Sequence, residues 1–288
     1  MHVSDRSVNV RSIVKTNYCM LYQSIRYLAI MIAILLSFVA CGKEDVSENA
    51  ARLRIKLTDA ASPVIRELYI DIRQIEVYVT DTTDNDGEWV QLEFTGGEYN
   101  LLQLMNGKTV QLVDQYFPAG NRIEKIKLIP GNNNRFITVT TDNIPLSIPP
   151  EMAEGIIIEN VNAILTDHII TSVVIDVNAA LTVRESNGNY FLHPAARAFP
   201  ETFGGKLRGF VAPVEAAAFI AIVQDGDTLM TLPEADGMFM FTGLTPGPWE
   251  VHLRAHPEAN YRDTVFTDTI VAGQVRDITP KPIKMWPK

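Results

Sequence analysis

The acidic turn at residues 82–87, which reads TTDNDG, carries the side chains best suited to bind a metal ion. Carboxylates at alternate positions followed by glycine are typical of calcium-binding loops. With Thr82 in the first position of such a loop, Asp84, Asp86 and Glu93 take the third, fifth and twelfth positions. That loop requires a carboxylate where Thr82 stands, and helices where the flanking segments read as strands. The alternative is a plain hairpin turn, so we expect no metal.

His252 and His256 stand four residues apart, a spacing that places two zinc ligands on one face of a helix. They fall in a predicted strand and its exit, where four residues span about 13 Å, and Pro257 interrupts any helix. The two cysteines lie at positions 19 and 41, ahead of the predicted body. Neither Gly-x-Ser-x-Gly nor a phosphate-binding glycine loop occurs. We therefore expect no catalytic residue and no cofactor.

Two acidic residues, Asp59 and Asp176, stand at the ends of predicted strands, where turn capping is the expected role. A carboxylate pair for glycoside hydrolysis is the alternative, because such pairs meet only in space. Exposed aromatic rings would indicate glycan binding. Alternation places Trp89 and Trp249 on the core side of their strands, whereas Trp286 lies near the C-terminus and reads as exposed.

Alternation of apolar and polar residues with period two predicts the strands that position these side chains. The second strand shifts phase by one residue between Ile72 and Ile75, which indicates a β-bulge. Later strands are predicted at Trp89–Phe94, Ile123–Ile129, Phe136–Thr140, Ile156–Leu165 and Ile169–Val177, and short helices at Leu101–Met105 and Val110–Tyr116. The predicted fold class is all-β, with two β-sandwich domains in series.

An apolar segment of about fourteen residues, YLAIMIAILLSFVA, follows Arg26. A membrane span needs about 20 residues, and this segment has the size of the apolar region of a signal peptide. It ends in SFVACG, where a small residue precedes Cys41. That ending resembles the lipobox of bacterial lipoproteins, with Phe38 in place of the usual leucine. A transmembrane anchor is the alternative.

The resemblance implies a lipoprotein signal peptide over residues 1–40, lipidation of Cys41 and a tether over residues 41–50. Lys43, Glu44 and Asp45 follow directly and resemble the surface-export signal of Bacteroidetes lipoproteins. This implies a protein held by its lipid on the outer face of the outer membrane. A solvated tether without a signal is the alternative reading.

The charge of the chain bears on its partners. The formal net charge is −9, and one acidic and four basic residues precede Cys41, so 33 acidic and 21 basic residues remain and carry −12. Phosphate binding requires clustered lysine and arginine, so we expect no nucleic-acid partner. Apolar residues make up 47% of the chain, enough for a core without disulfides.

A series of short motifs occurs in a characteristic order over residues 51–200. The motifs are Leu57–Ala61, Trp89, Asn100–Leu104, Asn106-Gly107, Phe117–Gly120, Ile175–Ala180, Tyr190–Pro194 and Arg197. Together they resemble the bacterial family called domain of unknown function 4382 (DUF4382). No activity is established for that family, so the resemblance assigns no catalytic residue.

After Pro200 and Gly204-Gly205, which read as a linker, residues 206–288 form a second all-β segment. Residues 236–251 read DGMFMFTGLTPGPWEV and resemble the carboxypeptidase regulatory-like domain, a small transthyretin-like sandwich. A tight turn at Asp236-Gly237 is predicted to place Phe239 and Phe241 in the core. The resemblance implies an accessory module without a catalytic zinc.

These patterns favour a lipid-anchored, non-enzymatic module of the cell surface that binds a glycan or a protein. A structural or accessory subunit of an outer-membrane assembly or transporter is the first alternative. A hydrolase with unrecognised carboxylates is the second. A lined cleft would favour the binding module, and an unpaired edge strand would favour the assembly.

Overall fold

The computed structural model describes residues 50–81, 86–138, 140 and 143–288. The described residues are built mainly of β-strands arranged in several sheets, which confirms the predicted all-β class. Among them, no helix is both long enough and apolar enough to cross a membrane.

Among the described residues, fourteen strands form the N-terminal sandwich. They are β1 (Ala50–Ala60), β2 (Ile65–Asp81), β3 (Gly87–Gln91), β4 (Gly97–Asn100), β5 (Val110–Pro118), β6 (Asn121–Pro130), β7 (Arg135–Thr138), β8 (Ile144–Pro145), β9 (Ile156–Ile158), β10 (Ala163–Ile164), β11 (Ile170–Asn178), β12 (Val183–Ser186), β13 (Asn189–Leu192) and β14 (Ala196–Pro200). Sheet 1 has the order β14-β11-β1-β5, and β1 and β11 are parallel. Sheet 2 has the order β10-β6-β2-β7-β8, with β3 and β4 paired to β2 and β9 paired to β6. Strands β12 and β13 form a separate hairpin.

Eight strands form the C-terminal sandwich. They are β15 (Gly205–Ala212), β16 (Phe219–Gln224), β17 (Asp227–Thr231), β18 (Met238–Leu244), β19 (Gly247–Arg254), β20 (Thr264–Ile270), β21 (Val275–Asp277) and β22 (Ile283–Lys284). Sheet 3 has the order β18-β15-β21, with β22 also paired to β15, and sheet 4 has the order β17-β16-β19-β20.

The described helices are short. One α-helix, α1 (Ala179–Thr182), follows β11, and 3-10 turns span Leu101–Leu104, Pro150–Met152, Val214–Ala216 and Pro257–Ala259. The helix predicted at Val110–Tyr116 is wrong, because this segment is strand β5. Its register against β1 shifts between Ile55 and Lys56, which leaves Leu112 unpaired. A bulge of this kind breaks the period-two pattern and imitates a helical spacing of apolar residues.

The long strand β2 confirms the bulge that the sequence predicts. Its register against β6 shifts between Ile72 and Gln74, at the point where the apolar phase changes. The extra residue keeps Ile72 and Ile75 both buried on the core side. The single strand predicted over Ile156–Leu165 is instead two short strands, β9 and β10.

Two separate hydrophobic cores stabilise the described residues. The first lies between sheets 1 and 2 and contains Leu53, Ile55, Ile75 and Ile126 among its fully buried side chains. The second lies between sheets 3 and 4, and its largest fully buried side chain is Phe239. The buried residues of the first core run from Ala51 to Ala198 and those of the second from Leu207 to Met285.

Candidate functional site

A cleft of about 620 Å³ lies at the junction of the two sandwiches. The end of β11 and the start of β14 contribute its floor, and the hairpin between β16 and β17 contributes the opposite wall. The lining residues are Asp176, Asn178, Leu181, Ala195, Ala196, Arg197, Gly226, Asp227, Thr228, Leu229, Thr245 and Trp249. The size is that of a small-molecule site, and the lining is mixed apolar and polar.

The ion pair between Asp176 and Arg197 forms the charged part of the floor. Residues 176 and 197 are opposite each other in the antiparallel pair of β11 and β14. Arg197 Nε and Nη2 donate to Asp176 Oδ2 at 3.0 and 2.7 Å. The same guanidinium donates to the carbonyls of Gly243 at 2.8 Å and Thr242 at 3.1 Å. Arg197 therefore joins the N-terminal sandwich to the end of β18.

Burial determines how the Asp176 carboxyl titrates. It raises the pKa of Asp176 above its ordinary value of 3.8, while the attraction of Arg197 acts in the opposite direction. The predicted turn-capping role is wrong for Asp176, because its described hydrogen bonds go to a guanidinium rather than to backbone N–H groups. Asp59 does cap the backbone, since its Oδ1 accepts a hydrogen bond from Ala179 N at 3.2 Å.

Asn178 lies in the floor of the cleft, with its side-chain oxygen shielded from solvent. The residue is buried at the end of β11, and its Oδ1 has no hydrogen-bond partner within the described residues. A buried amide oxygen without a partner costs about 1–3 kcal/mol. Because this oxygen is shielded from solvent, it is a cost of the fold and not an open binding group.

Trp249 and the β16–β17 hairpin form the wall on the C-terminal side. The indole Nε1–H of Trp249 donates to the carbonyl of Thr245 at 2.9 Å, which fixes the ring against the loop. Trp249 is buried, as the sequence predicts. Asp227 and Thr228 are exposed at the rim and present a carboxylate and a hydroxyl.

Asn106 connects the two sandwiches by hydrogen bonds beside the cleft. Its Oδ1 accepts hydrogen bonds from Thr231 Oγ1 at 2.9 Å and from Met240 N at 3.1 Å. Its Nδ2 donates to the carbonyl of Leu232 at 2.9 Å and to Glu234 Oε1 at 3.1 Å. One side chain of the N-terminal sandwich thus makes four hydrogen bonds to the C-terminal sandwich.

The surroundings of Asn106 fix its position. The hydroxyl of Thr58 lies 2.9 and 2.8 Å from the carbonyl oxygens of Leu104 and Lys108, on either side of the loop. Lys108 Nζ lies 2.7 Å from Glu234 Oε1. The hydrogen bonds from Lys108 and Asn106 lower the pKa of the Glu234 carboxyl below its ordinary value.

Gly243 permits the close approach of the two sandwiches. Its φ is +62°, and an added Cβ would lie 2.2 Å from Cζ of Phe199. The guanidinium carbon of Arg197 lies 4.9 Å from the centre of the same ring. Any other residue at 243 would combine left-handed backbone strain with a clash against this ring.

Of the metal, lipidation and export residues predicted from the sequence, the structure describes Asp86 and Glu93, and neither lines the cleft. Cys41, Lys43, Glu44, Asp45 and Asp84 are outside the described residues.

Asp86 and Glu93 are exposed at opposite ends of β3, which forms a hairpin with β2. Strands, and not helices, therefore flank residues 82–85. In the described ranges no cluster of three His, Cys, Asp or Glu side chains is placed to hold a metal ion.

The two histidines do not converge. His252 Nε2 lies 3.1 Å from Glu250 Oε1 on the same strand, and His256 Nδ1 accepts from Glu258 N at the start of a 3-10 turn.

The prediction that Trp89 faces the core is wrong. Trp89 pairs with Tyr78 across β2 and β3, and Tyr78 lies on the outer face because its neighbours Val77 and Val79 are buried. The Trp89 ring is 36% exposed, 5.3 Å from the Tyr78 ring and 4.2 Å from Lys127 Nζ. The ammonium of Lys127 over the ring face stabilises Trp89 at an exposed position, where the ring has no hydrophobic core to pack against. Trp286 is exposed, as predicted.

Comparisons with known proteins bear on the family. The family model described as "Domain of unknown function (DUF4382)" matches residues 50–194. A search of curated proteins finds no match.

Among solved structures, the Bacillus anthracis TIE protein is 12% identical, with a TM-score of 0.25, and the match covers 83% of this chain and 34% of that one. This chain therefore spans about a third of the TIE protein. The shaft pilin SpaA of Lactobacillus rhamnosus GG is 11% identical, with a TM-score of 0.24 and coverage of 82% and 98%. The major pilin subunit BcpA of Bacillus cereus is 8% identical, with a TM-score of 0.23 and coverage of 83% and 71%.

The match to the family model assigns the chain to a family. It begins at the first residue of β1 and ends just before β14, so it takes in the Asn106 loop, Asp176 and Asn178. Arg197 lies three residues beyond its end. Because the match spans half of the 288 residues, this chain belongs to the DUF4382 family.

Proposed function

We propose that this protein is a lipid-anchored, non-enzymatic binding module of the bacterial cell surface, and that its junction cleft takes part of a glycan. The observation that supports a binding role most directly is the cleft itself, which combines a volume of about 620 Å³ with a mixed polar and apolar lining. A lined cleft is the feature that distinguishes a binding module from a purely structural subunit.

The chemistry of the cleft suits a neutral, hydroxyl-rich ligand. Asp176 and Arg197 neutralise each other, so Asp227 leaves the lining with one net negative charge. That charge disfavours phosphate and carboxylate ligands. The exposed carboxylate of Asp227 and hydroxyl of Thr228 can bind sugar hydroxyls, while the exposed Leu181 offers apolar surface for the C–H face of a sugar ring.

The ion pair also supports a non-enzymatic role. An acid catalyst must exchange its proton with the substrate. Asp176 Oδ2 instead accepts two hydrogen bonds from Arg197, which is itself tied to the carbonyls of Thr242 and Gly243. The carboxylate is thereby committed to joining the sandwiches.

A glycan-array screen with Thr228→Arg as the test variant checks this proposal. Thr228 is exposed at the rim, so arginine there is expected to fill the cleft without disturbing either core. We expect the wild-type protein to bind a subset of glycans and the variant to bind them at least about tenfold more weakly, which corresponds to about 1.4 kcal/mol. Isothermal titration of the best ligand measures the difference.

The matched control is Thr267→Arg, the same change at an exposed position on β20 outside the cleft. Equal weakening by both variants would place the binding surface elsewhere. A wild-type protein that binds no glycan on the array would sink the saccharide proposal.

The proposed anchor rests on the lipobox resemblance around Cys41 and on Lys43, Glu44 and Asp45. We expect Cys41→Ala to release the protein from the membrane fraction, because the acyl chains supply the attachment.

Protease added to intact cells is expected to digest the wild-type body. Replacing the three charged residues by alanine should keep the body inside the outer membrane, where added protease does not reach it. Digestion of the same variant after lysis is the control that the protein is present and cleavable. A wild-type body that is digested only after lysis contradicts surface exposure.

A role in an envelope assembly is the second candidate, and strand β20 favours it. Within the described residues β20 pairs only with β19, so its other edge is open for strand addition. The sequence TVFTDTI is rich in β-branched residues and lacks the lysine or proline that commonly protects an edge. Protection from protease in intact cells would favour this assembly role over the surface module.

We further propose that the C-terminal sandwich is a carboxypeptidase regulatory-like module. Phe239, Phe241 and Leu244 are buried as that resemblance expects. The turn before them is closed by Asp236 Oδ1, which accepts a hydrogen bond from Met238 N at 2.9 Å. Its role here would be to supply the Trp249 wall of the cleft.

A further inference from the structure

Exposed apolar side chains gather at the end of the N-terminal sandwich where β1 begins. Ile164, Ile169, Ile170 and Tyr116 are each between 46% and 53% exposed, which is high for large apolar residues. Contiguous exposed apolar surface marks a site of interaction with a protein or a membrane. We define these four residues as the β1-end patch.

The register of sheet 1 makes the patch continuous. Ala51, Leu53 and Ile55 are fully buried, so Arg52 points to the outer face of the sheet. Arg52 lies opposite Ile170 on β11 and opposite Tyr116 on β5, which places the three side chains in one row across three strands. Residues directly opposite each other on adjacent strands are close enough to touch.

The remaining two isoleucines adjoin this row. Arg52 N donates to the carbonyl of Ile169 at 3.1 Å, and Thr171 Oγ1 donates to the carbonyl of Ile164 at 3.0 Å. His168 N donates to the carbonyl of Ala50 at 3.2 Å. The patch therefore surrounds the first residues of β1.

The charged residues beside the patch carry a net positive charge, in contrast to the net negative charge of the chain. Arg52 and Arg54 share one carboxylate, Asp114, so this group carries one net positive charge. Arg122 lies opposite Ile164 and adds another, while Asp167 cancels one. The Arg52 guanidinium carbon lies 5.6 Å from the Tyr116 ring centre. Tyrosine, arginine and isoleucine together suit the boundary between lipid headgroups and acyl chains.

We infer that the β1-end patch rests on the outer surface of the membrane that holds the lipidated Cys41, an inference that depends on the proposed anchor. Ala50 is the ninth residue after Cys41, so the start of β1 lies at most about 30 Å from the lipid. The end of the body that carries Ala50 is thus the membrane-proximal end. The net positive charge beside the patch, in a chain of net negative charge, then turns that end toward anionic headgroups.

A single-cysteine fluorescence experiment tests this orientation. Both cysteines of the chain precede the described residues, so an introduced cysteine gives a unique label in the body. The lipidated protein carrying Ile170→Cys is labelled with an environment-sensitive dye and reconstituted into vesicles of phosphatidylethanolamine and phosphatidylglycerol. A nitroxide lipid is expected to quench the label about twofold, because the patch enters the outer 5–10 Å of the bilayer.

Val265→Cys is the matched control, since Val265 is 48% exposed on a strand of the C-terminal sandwich and Ile170 is 46% exposed. We expect no quenching at position 265. A second label at Ile164→Cys should be quenched as well, and adding Ile170→Glu should relieve that quenching without unfolding an exposed position.

Flotation of the vesicles distinguishes a failure of the proposed lipid anchor from a failure of the proposed membrane contact. Protein that floats with the lipid but shows no quenching at position 170 has its anchor and not this membrane contact, which overturns the inference. Equal quenching at positions 170 and 265 overturns it too. A label shift at position 170 that grows with protein concentration and needs no lipid would assign the patch to a second copy of the chain. Protein that does not float refutes the anchor, and the inference with it.

Discussion

Replacing Arg197 with alanine is expected to lower the free energy of unfolding by about 3 kcal/mol. The change removes both donors to Asp176 Oδ2 and leaves a buried carboxylate without its counter-charge. It also removes donors from the carbonyls of Thr242 and Gly243. Losses of 3–5 kcal/mol are typical when one partner of a buried pair is deleted, and the lower end applies because the Arg197 side chain is about a third exposed. Urea unfolding measures the effect.

The loss is also expected to depend on pH. Because burial raises the pKa of Asp176 in the folded state, the native protein holds a proton that the unfolded chain releases above about pH 3.8. A raised carboxyl pKa stabilises the fold below that value, and this contribution is lost as the pH rises through the folded pKa. Without Arg197 the folded pKa rises further. The cost of Arg197→Ala should therefore be smaller near pH 4 than near pH 7.

Two further variants show whether the ion pair causes the loss of stability in Arg197→Ala. Arg197→Lys should recover only part of the stability, because an ammonium lacks the planar fork that serves a carboxylate and two carbonyls together. Arg254→Ala removes an exposed pair with Asp263 and should cost less than about 1 kcal/mol. An Arg197→Ala protein as stable as the Arg254→Ala protein would show that the ion pair does not hold the junction.

Period-two alternation predicts the strands of this protein well where their register is continuous. It also locates the bulge in β2, because a bulge inside a fully alternating strand only changes the phase. The prediction fails at β5, where the bulge leaves the partly buried Leu112 unpaired beside the buried Val113. There the apolar pattern is too weak to distinguish a bulged strand from a helix.

The face of a strand depends on its partner, which a single sequence does not reveal. Trp89 and Trp249 both stand in alternating segments, yet Trp89 is on the outer face of sheet 2 and Trp249 is buried. The outer position of Trp89 follows from its pairing with Tyr78. Lys127, which covers the ring, comes from a strand almost forty residues later.

The candidate site was predictable only in its parts. Asp176, Asn106 and Arg197 each belong to short motifs of the sequence, but nothing in those motifs indicates that Asn106 and Arg197 bond to the C-terminal sandwich or that Asp176 pairs with Arg197. Their convergence depends on the pairing of β11 with β14 and on contacts with residues 231–243, far along the chain. The order of the motifs predicts the family, whereas the contacts at the junction become visible only in the folded structure.

The second large effect is expected at Asn106, where alanine should cost about 3–4 kcal/mol. The change leaves the buried hydroxyl of Thr231 and the N–H of Met240 without their acceptor, at about 1–3 kcal/mol each. Asn106 also has a φ of +59°, which costs alanine about 1 kcal/mol more than asparagine. We expect urea unfolding to separate into two transitions, one for each core, because the sandwiches lose their main polar contact.

Asn106→Gly separates the two causes, since glycine accepts the left-handed backbone and still deletes the four hydrogen bonds. We expect it to be about 1 kcal/mol less destabilising than Asn106→Ala and to show the same two transitions. A glycine variant that unfolds like the wild type would mean that the alanine effect is backbone strain alone. In that case the sandwiches are coupled through Arg197 and the packing of Gly243 against Phe199, and the cleft between them should keep its ligand in the Asn106→Gly protein.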